Sequence, residues 1–376
     1  SKLFVGVGLI SYSLYLWHYP IFSLFRITES TVSQLDKIVC LILSVILSII
    51  SYFFIEKPTR NKKINFSLIA YFIIMIIAIL VIFNLSVIYN SGYKKRLPPI
   101  LQNSYSYNLL KFFKSKEIMC DENKIRCKSK TYSGKKIYLI GDSLMETLII
   151  NLNHRVQKKG YQFIKSTIGG CFYFPGFNKV RKKTKRITTC NNQYFSDLKQ
   201  TLSEEENSII IFGGRLRRYF YNDNSPEKFI AVGNYENIAD SFKKEVFDVS
   251  KKNKIILVYP IPEVGYDPNK TLYLKWIKSK NKTENFFNSI DLNTSFKIYE
   301  DDNKSIFELL DSIRGDNIYR IYPHTLFCNN IIKNKCIIHD GNNIFYEDDR
   351  HPSLKGAKMI NDLLMKEIEK IELKSN

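Results

Sequence analysis

The sequence predicts a membrane α-helical segment followed by an α/β three-layer (αβα) domain with a parallel sheet. Three observations carry that expectation. Apolar runs dominate the first 93 residues and give way to a soluble composition afterwards. From residue 135 on, short and wholly apolar strand patterns alternate with helix patterns, as in a sheet covered on both faces. Six of the seven cysteines fall in the second part as close pairs, Cys120 and Cys127, Cys171 and Cys190, Cys328 and Cys336, a usage suited to an oxidising compartment.

The apolar runs are residues 3–25, 38–55 and 64–90. Each is near the ~20 residues that a helix needs to cross a bilayer. No small-residue cleavage site follows the first, so a removed signal peptide is not expected. The loop Glu56-Lys57-Pro58-Thr59-Arg60-Asn61-Lys62-Lys63 is basic, whereas Arg26 and Lys37 in the preceding loop are offset by Glu29 and Asp36. Basic loops stay cytoplasmic. Everything after Tyr93 is therefore expected outside, in a multi-pass protein of the bacterial inner membrane whose α/β domain is periplasmic or extracellular. The lipid bilayer is then one partner. The chain opens at Ser1 directly into a span, which reads as part of a longer polytopic protein with further membrane helices ahead of it.

Residues 94–134 read as a polar extracytoplasmic connector with a short helical stretch around residues 109–113. The α/β domain is expected over 135–376. Its strand patterns are Lys136-Ile137-Tyr138-Leu139-Ile140, residues 162–165, Ser208-Ile209-Ile210-Ile211-Phe212 and Lys254-Ile255-Ile256-Leu257-Val258-Tyr259. A helix with the apolar face Leu144, Leu148, Ile149 and Leu152 follows the first strand and ends near Gly160, and a last helix covers residues 353–371. Residues 262–320 show no clear pattern and read as helix plus loops.

Net charge is +20, from 56 Lys and Arg against 36 Asp and Glu. Lys recurs along the whole chain without forming a stripe, and no nucleic-acid motif accompanies it, so no nucleic-acid partner is expected. No cysteine pair has the double Cys-x-x-Cys spacing of a zinc site, and no metal is expected. Six cysteines permit many connectivities, of which sequential pairing is the simplest.

The chemistry is expected at Gly141-Asp142-Ser143-Leu144. A serine at the end of a buried strand and the start of a helix is placed for nucleophilic attack, outside the carboxyl ends of the strands where ligands bind. The helix start offers N–H groups to a developing oxyanion. Gly-Asp-Ser alone is also an ordinary helix cap. A serine needs a base, and Asp348-Asp349-Arg350-His351 stands just before the last helix. At that spacing Asp348 can hold the His351 ring while the ring takes the serine proton. His339-Asp340 ranks lower, because adjacent residues in a strand face apart.

Gly141-Asp142-Ser143-Leu144 followed by Asp348-x-x-His351 resembles the SGNH (GDSL-type) hydrolases over roughly residues 135–372. The resemblance implies Ser143 as nucleophile, His351 as base and Asp348 as its orienter. It also implies an oxyanion hole from the Ser143 N–H, the N–H of Gly170 (or Gly169) and an asparagine. Where that family shows Gly-x-Asn-Asp this chain has Gly213-Gly214-Arg215-Leu216, so Arg215 is expected to supply the polar contact or to bind an anionic part of the substrate. The runs Ile10-Ser11-Tyr12-Ser13-Leu14-Tyr15-Leu16-Trp17-His18-Tyr19-Pro20 and Phe54-Ile55-Glu56-Lys57-Pro58-Thr59-Arg60 resemble the closing helices of membrane acyltransferase family 3. Both in order ahead of an SGNH domain are similar to fused proteins that O-acetylate surface glycans.

That resemblance implies an O-acyltransferase acting on hydroxyls of lipopolysaccharide O-antigen, exopolysaccharide or peptidoglycan. Acetyl-CoA is the expected donor for the full-length protein, and no cofactor is expected on this part. The rival expectations are a membrane-anchored glycan O-acetyl esterase, which uses the same triad with water as acceptor, and a non-catalytic glycan-binding module.

Overall fold

The computed structural model describes residues 2–28, 33–59, 66–104, 118–120, 126–130, 134–221, 225–232, 237–279 and 284–375. The chain divides into two compact units, one of Ser1–Pro98 with Lys270–Lys282 and one of Pro99–Asn269 with Thr283–Asn376. The expected helical stretch at 109–113 and the basic residues 60–63 lie outside the described residues.

The first unit is built on α1 (Lys2–Thr28), α2 (Gln34–Ser51) and α3 (Phe66–Tyr89). The Ser33 side chain caps α2 and Asp36 returns a bond to the Ser33 N–H, a complete capping box. A π-helical turn, Tyr52–Glu56, carries α2 on to Thr59. Gln34–Thr59 and Ile69–Tyr89 are long and apolar enough to cross a membrane. The first expected span forms α1, but Tyr12, Trp17, His18 and Pro20 make it less apolar than the other two. Two of its polar groups have partners on α2 and the π-helical turn that extends it: Trp17 Nε1 donates to Ser51 Oγ at 2.8 Å and the Ser13 hydroxyl to the Glu56 carboxylate. Hydrogen bonds between helices satisfy groups that hydrocarbon cannot.

The second unit holds a seven-stranded sheet in the order β1-β2-β4-β3-β6-β8-β10. Here β1 is Ile118–Cys120, β2 Arg126–Ser129, β3 Lys136–Gly141, β4 Gln162–Thr167, β6 Ile209–Gly213, β8 Lys254–Val258 and β10 Ile318–Ile321. Strands β4, β3, β6, β8 and β10 run parallel, and the hairpin β1–β2 adds antiparallel to β4. Helices α4 (Ser143–Glu146) and α5 (Ile149–Lys158) follow β3.

Period-two alternation sends side chains to both faces. Tyr138, Ile140, Ile210, Phe212, Ile255 and Leu257 point into one core cluster with α6 (Asn192–Glu204) and α7 (Ile238–Ser250). Their neighbours Ile137, Leu139, Ile211 and Ile256 are as deeply buried on the opposite face. There α9 (Leu354–Ser375) is tied to its neighbour α5 by Asn361, which donates to Leu148 O at 3.0 Å at the cap of α5, and by an Arg155–Asp362 ion pair.

Four predicted strands are present, and the structure adds others. Ile318–Ile321 supplies a fifth parallel strand from the stretch without pattern, which also contains α8 (Phe296–Asp311). Within the expected connector, β1 and β2 join the sheet and are clasped by the Cys120–Cys127 disulfide. Two small antiparallel sheets pair β5 (Phe177–Arg181) with β7 (Glu227–Ala231), and β9 (Thr294–Ser295) with β11 (Lys335–Cys336). The helix expected over 144–160 is interrupted. Thr147 bonds back to Leu144 O at 2.7 Å, and the chain turns before α5 begins.

The register aligns Thr167, Gly141 and Gly213 at one edge of the sheet, so the loops after β4, β3 and β6 emerge side by side. Gly141 makes that approach possible: its φ is +158°, and a Cβ there would lie 2.1 Å from Gly213 O. Gly141→Ala should therefore lower stability by on the order of 3 kcal/mol, because backbone on β6 must move. Thermal unfolding followed by circular dichroism checks it; an unchanged midpoint would contradict the tight β3–β6 edge.

Candidate active site

Asp142 begins the site. It is 1 % exposed and accepts three hydrogen bonds, from Leu144 N at 2.9 Å, Arg215 N at 2.8 Å and the Tyr219 hydroxyl at 2.7 Å. The first is the cap of α4 and sets the turn that presents Ser143. The other two bring the loop after β6 and the short helix Leu216–Phe220 that follows it against the carboxylate. Gly214 has φ +148° and permits this: a Cβ would meet Asp142 Cγ at 3.0 Å. Burial pushes the Asp142 carboxyl above its ordinary range, and the bonds from Arg215, Tyr219 and Leu144 oppose that.

The other half comes from the loop before α9. Glu347 N donates to His351 O at 2.8 Å, closing the loop on itself. Asn269 Nδ2 holds it through Tyr346 O at 3.2 Å and Glu347 O at 2.7 Å. The Asp348 Oδ1 accepts from the N–H groups of Arg350 at 2.9 Å and His351 at 2.8 Å, and Oδ2 accepts from His351 Nδ1 at 2.7 Å. With Nδ1 so occupied, Nε2 faces Ser143 Oγ at 2.8 Å. The structure thus brings Ser143, His351 and Asp348 into one hydrogen-bonded line. Partial burial pushes the Asp348 carboxyl up, but the two backbone N–H groups and the His351 ring outweigh it and hold the group below its usual range.

The remaining predicted residues stand around that line. Gly169 and Gly170 form the turn after β4, with Gly170 at φ +69°. The buried Lys179 Nζ donates to Gly170 O at 2.6 Å and pairs with Glu227, fixing the turn. Among the described residues neither the Ser143 nor the Gly170 N–H donates within the protein, the condition a preorganised oxyanion donor must meet. Arg215 is differently engaged: its backbone N–H goes to Asp142, and Nε and Nη2 go to Glu263 at 2.7 and 2.6 Å. The cysteines are paired as Cys120–Cys127, Cys171–Cys190 and Cys328–Cys336. His339 and Asp340 do not pair: His339 bonds Ile290 O and the Gly341 N–H, while Asp340 accepts from Asn342 and Asn343.

Sequence reasoning passed over Tyr219, Lys179 and Glu263. Glu263 had a readable signal, a carboxylate just past a predicted strand end; Tyr219 and Lys179 had none.

A family model described as SGNH domain (fused to AT3 domains) matches residues 103–366. Among solved structures, the chain is similar to the periplasmic domain of a Salmonella ser. Paratyphi A lipopolysaccharide acetyltransferase, at 17% identity and TM-score 0.44, covering 63% of this chain and 85% of that one. It is also similar to a possible lipase from Chitinophaga pinensis, at 13% identity and TM-score 0.29, covering 64% of this chain and 99% of that one. No curated protein matches significantly.

Asp142→Asn should cost about 1–3 kcal/mol, because one amide oxygen must replace two carboxylate oxygens facing three donors. Tyr219→Phe, which removes one donor, should cost about 1 kcal/mol. Chemical denaturation of both variants checks the order, and equal losses would count against Asp142 as the hub.

Proposed function

The chain belongs to the family of SGNH domains fused to AT3 domains, and on that premise we propose that it is a membrane-held O-acyltransferase that places an acyl group, acetyl first among candidates, on hydroxyls of an extracytoplasmic glycan. The observation that carries the reading is the line Ser143 Oγ–His351 Nε2–His351 Nδ1–Asp348, closed at 2.8 and 2.7 Å between loops 208 residues apart. A binding surface needs no such alignment.

His351 takes the Ser143 proton as Oγ attacks the acyl carbonyl, and Asp348 stabilises the imidazolium. The oxyanion forms beside the N–H groups of Ser143 and Gly170. Collapse expels the donor's leaving group, which receives the proton from His351 and leaves acyl-Ser143. His351 then deprotonates a sugar hydroxyl, that oxygen attacks the acyl-serine carbonyl, and the returning proton restores Ser143. Water in place of the sugar would give an esterase. Acetyl-CoA is the proposed ultimate donor for the full-length protein, used on the cytoplasmic side by membrane helices. The helices Gln34–Thr59 and Ile69–Tyr89 support a membrane location, and three disulfides support an oxidising compartment for the SGNH domain, outside a bacterial inner membrane.

The test is p-nitrophenyl acetate with the whole chain in detergent. Ser143 should gain one acetyl by mass, Ser143→Ala should gain none, and an added glycan acceptor should take up the label. Equal labelling of a folded Ser143→Ala variant would sink the reading; label released only to water would leave the esterase. Asp348→Asn should slow acylation by roughly 10²–10⁴-fold.

Because the Asp348 carboxyl is held low, its charge is present above the unfolded value and is lost only as pH falls through the depressed folded one. Asp348 therefore stays ionised across the assay range, and acylation should fall on the acid side with the slope of one proton. A two-proton slope would show the carboxylate titrating as well.

A further inference from the structure

Beside the triad lies a cleft of about 370 Å³, and Leu144, the residue after Ser143, forms part of its wall. Its charged lining is Arg215, Arg217, Glu263 and Asp302, two groups of each sign, so it sums to zero in a chain of net charge +20. The charges are also matched one to one. Arg215 is bonded twice to Glu263, at 2.7 and 2.6 Å, and Arg217 to Asp302. The first pair remains open to the cleft, its side chains 27% and 33% exposed.

Both ends of that pair are anchored through backbone. The Arg215 N–H is held by the buried Asp142. Glu263 precedes Val264 and Gly265, whose N–H groups both donate to Asp349 O, at 2.8 and 3.0 Å, in the loop that carries His351. The pair therefore bridges the nucleophile side and the base side of the site at a set position.

An acidic sugar entering this cleft would have to displace Glu263 from Arg215 or share the guanidinium with it, and either way two carboxylates would compete for one guanidinium. Such an arrangement selects against anionic ligands. A neutral polyol meets no such cost. Its hydroxyls donate and accept, which suits the remaining guanidinium N–H groups and the remaining carboxylate lone pairs. The aliphatic side chains of Val264 and Ile298 in the same lining suit the C–H face of a sugar ring.

We infer that this cleft is the acceptor subsite, that it takes a neutral sugar, and that Glu263 sets this specificity by occupying Arg215. The inference rests on the glycan-acceptor reading above and narrows it. Arg215 then positions its partner carboxylate and sugar hydroxyls and does not grip an anion.

The test uses the whole chain with Ser143→Ala, so that no turnover intervenes, in a detergent without a sugar headgroup. Saturation-transfer NMR compares the methyl glycosides of glucose, galactose, rhamnose and N-acetylglucosamine with methyl glucuronide and methyl galacturonide. The best neutral glycoside should bind roughly tenfold or more tightly than either uronate. Adding Glu263→Gln should narrow or reverse that ratio. If that variant misfolds, Asp302→Asn on the more exposed pair should move the ratio the same way. Uronates binding as well as neutral sugars, a ratio unmoved in a folded variant, or no binding by any of the panel each overturns the inference. Acetylation of the unsubstituted Ser143 is scored separately. Acetylation without glycoside binding removes the subsite and leaves acyl transfer; glycoside binding without acetylation does the reverse.

Discussion

One buried carboxylate organises the sheet edge at which Ser143 stands. Asp142 faces a donor from its own turn, one from the loop after β6 and one from the short helix Leu216–Phe220 that follows, so the position of Ser143 and that of the neighbouring segment are a single constraint. Burial makes an ionised carboxylate costly, and the three donors oppose that cost without cancelling it. The glycines at 141 and 214 follow from the same demand. One lets β3 and β6 end in register, and the other lets the next loop reach the carboxylate. Removing Cβ atoms at both places is the condition for closing the gap.

Much of this was legible in the amino-acid order, and the reasons it stopped being legible are physical. The central strands β3, β6 and β8 announce themselves, because strands buried on both faces are apolar almost throughout, whereas β4 reads weakly, since Gln162 and Lys165 are polar and the buried Lys165 pairs with Glu146. Ser143, Asp348 and His351 were readable from residue type, spacing and place at element ends. Strand β10 was not, because Ile318-Tyr319-Arg320-Ile321 carries a charged residue whose guanidinium finds carbonyl and hydroxyl partners only after folding. The β1–β2 hairpin is short and mixed in pattern, Ile118-Met119-Cys120 and Arg126-Cys127-Lys128-Ser129, and a disulfide joins its strands. Contacts made by long side chains between distant loops, such as Lys179 to Gly170 O, have no local signal at all.

Two kinds of attachment hold the Ser143 turn and the His351 loop, and they differ in stiffness. The Ser143 turn is tied into the sheet, whose central strands are fully buried. The His351 loop is tied mainly to loops, through its own closing bond, through Asn269 and through the backbone of Val264 and Gly265. In the proposed mechanism, where His351 would first take a proton from Ser143 and later one from an acceptor, this combines a firm nucleophile with a base held by several moderate bonds, each worth about 1 kcal/mol.

The Arg215–Glu263 pair joins those two attachments. Arg215 belongs by its backbone to the Asp142 side, and Glu263 belongs by its neighbours to the His351 side. A ligand that broke the pair would therefore act on the geometry of the triad as well as on its own binding. A ligand that bridges the pair through hydroxyls would preserve that geometry. On the proposed reading, substrate selection and catalytic alignment have one structural cause, since the pair assigned to the acceptor subsite also ties the Ser143 and His351 sides together.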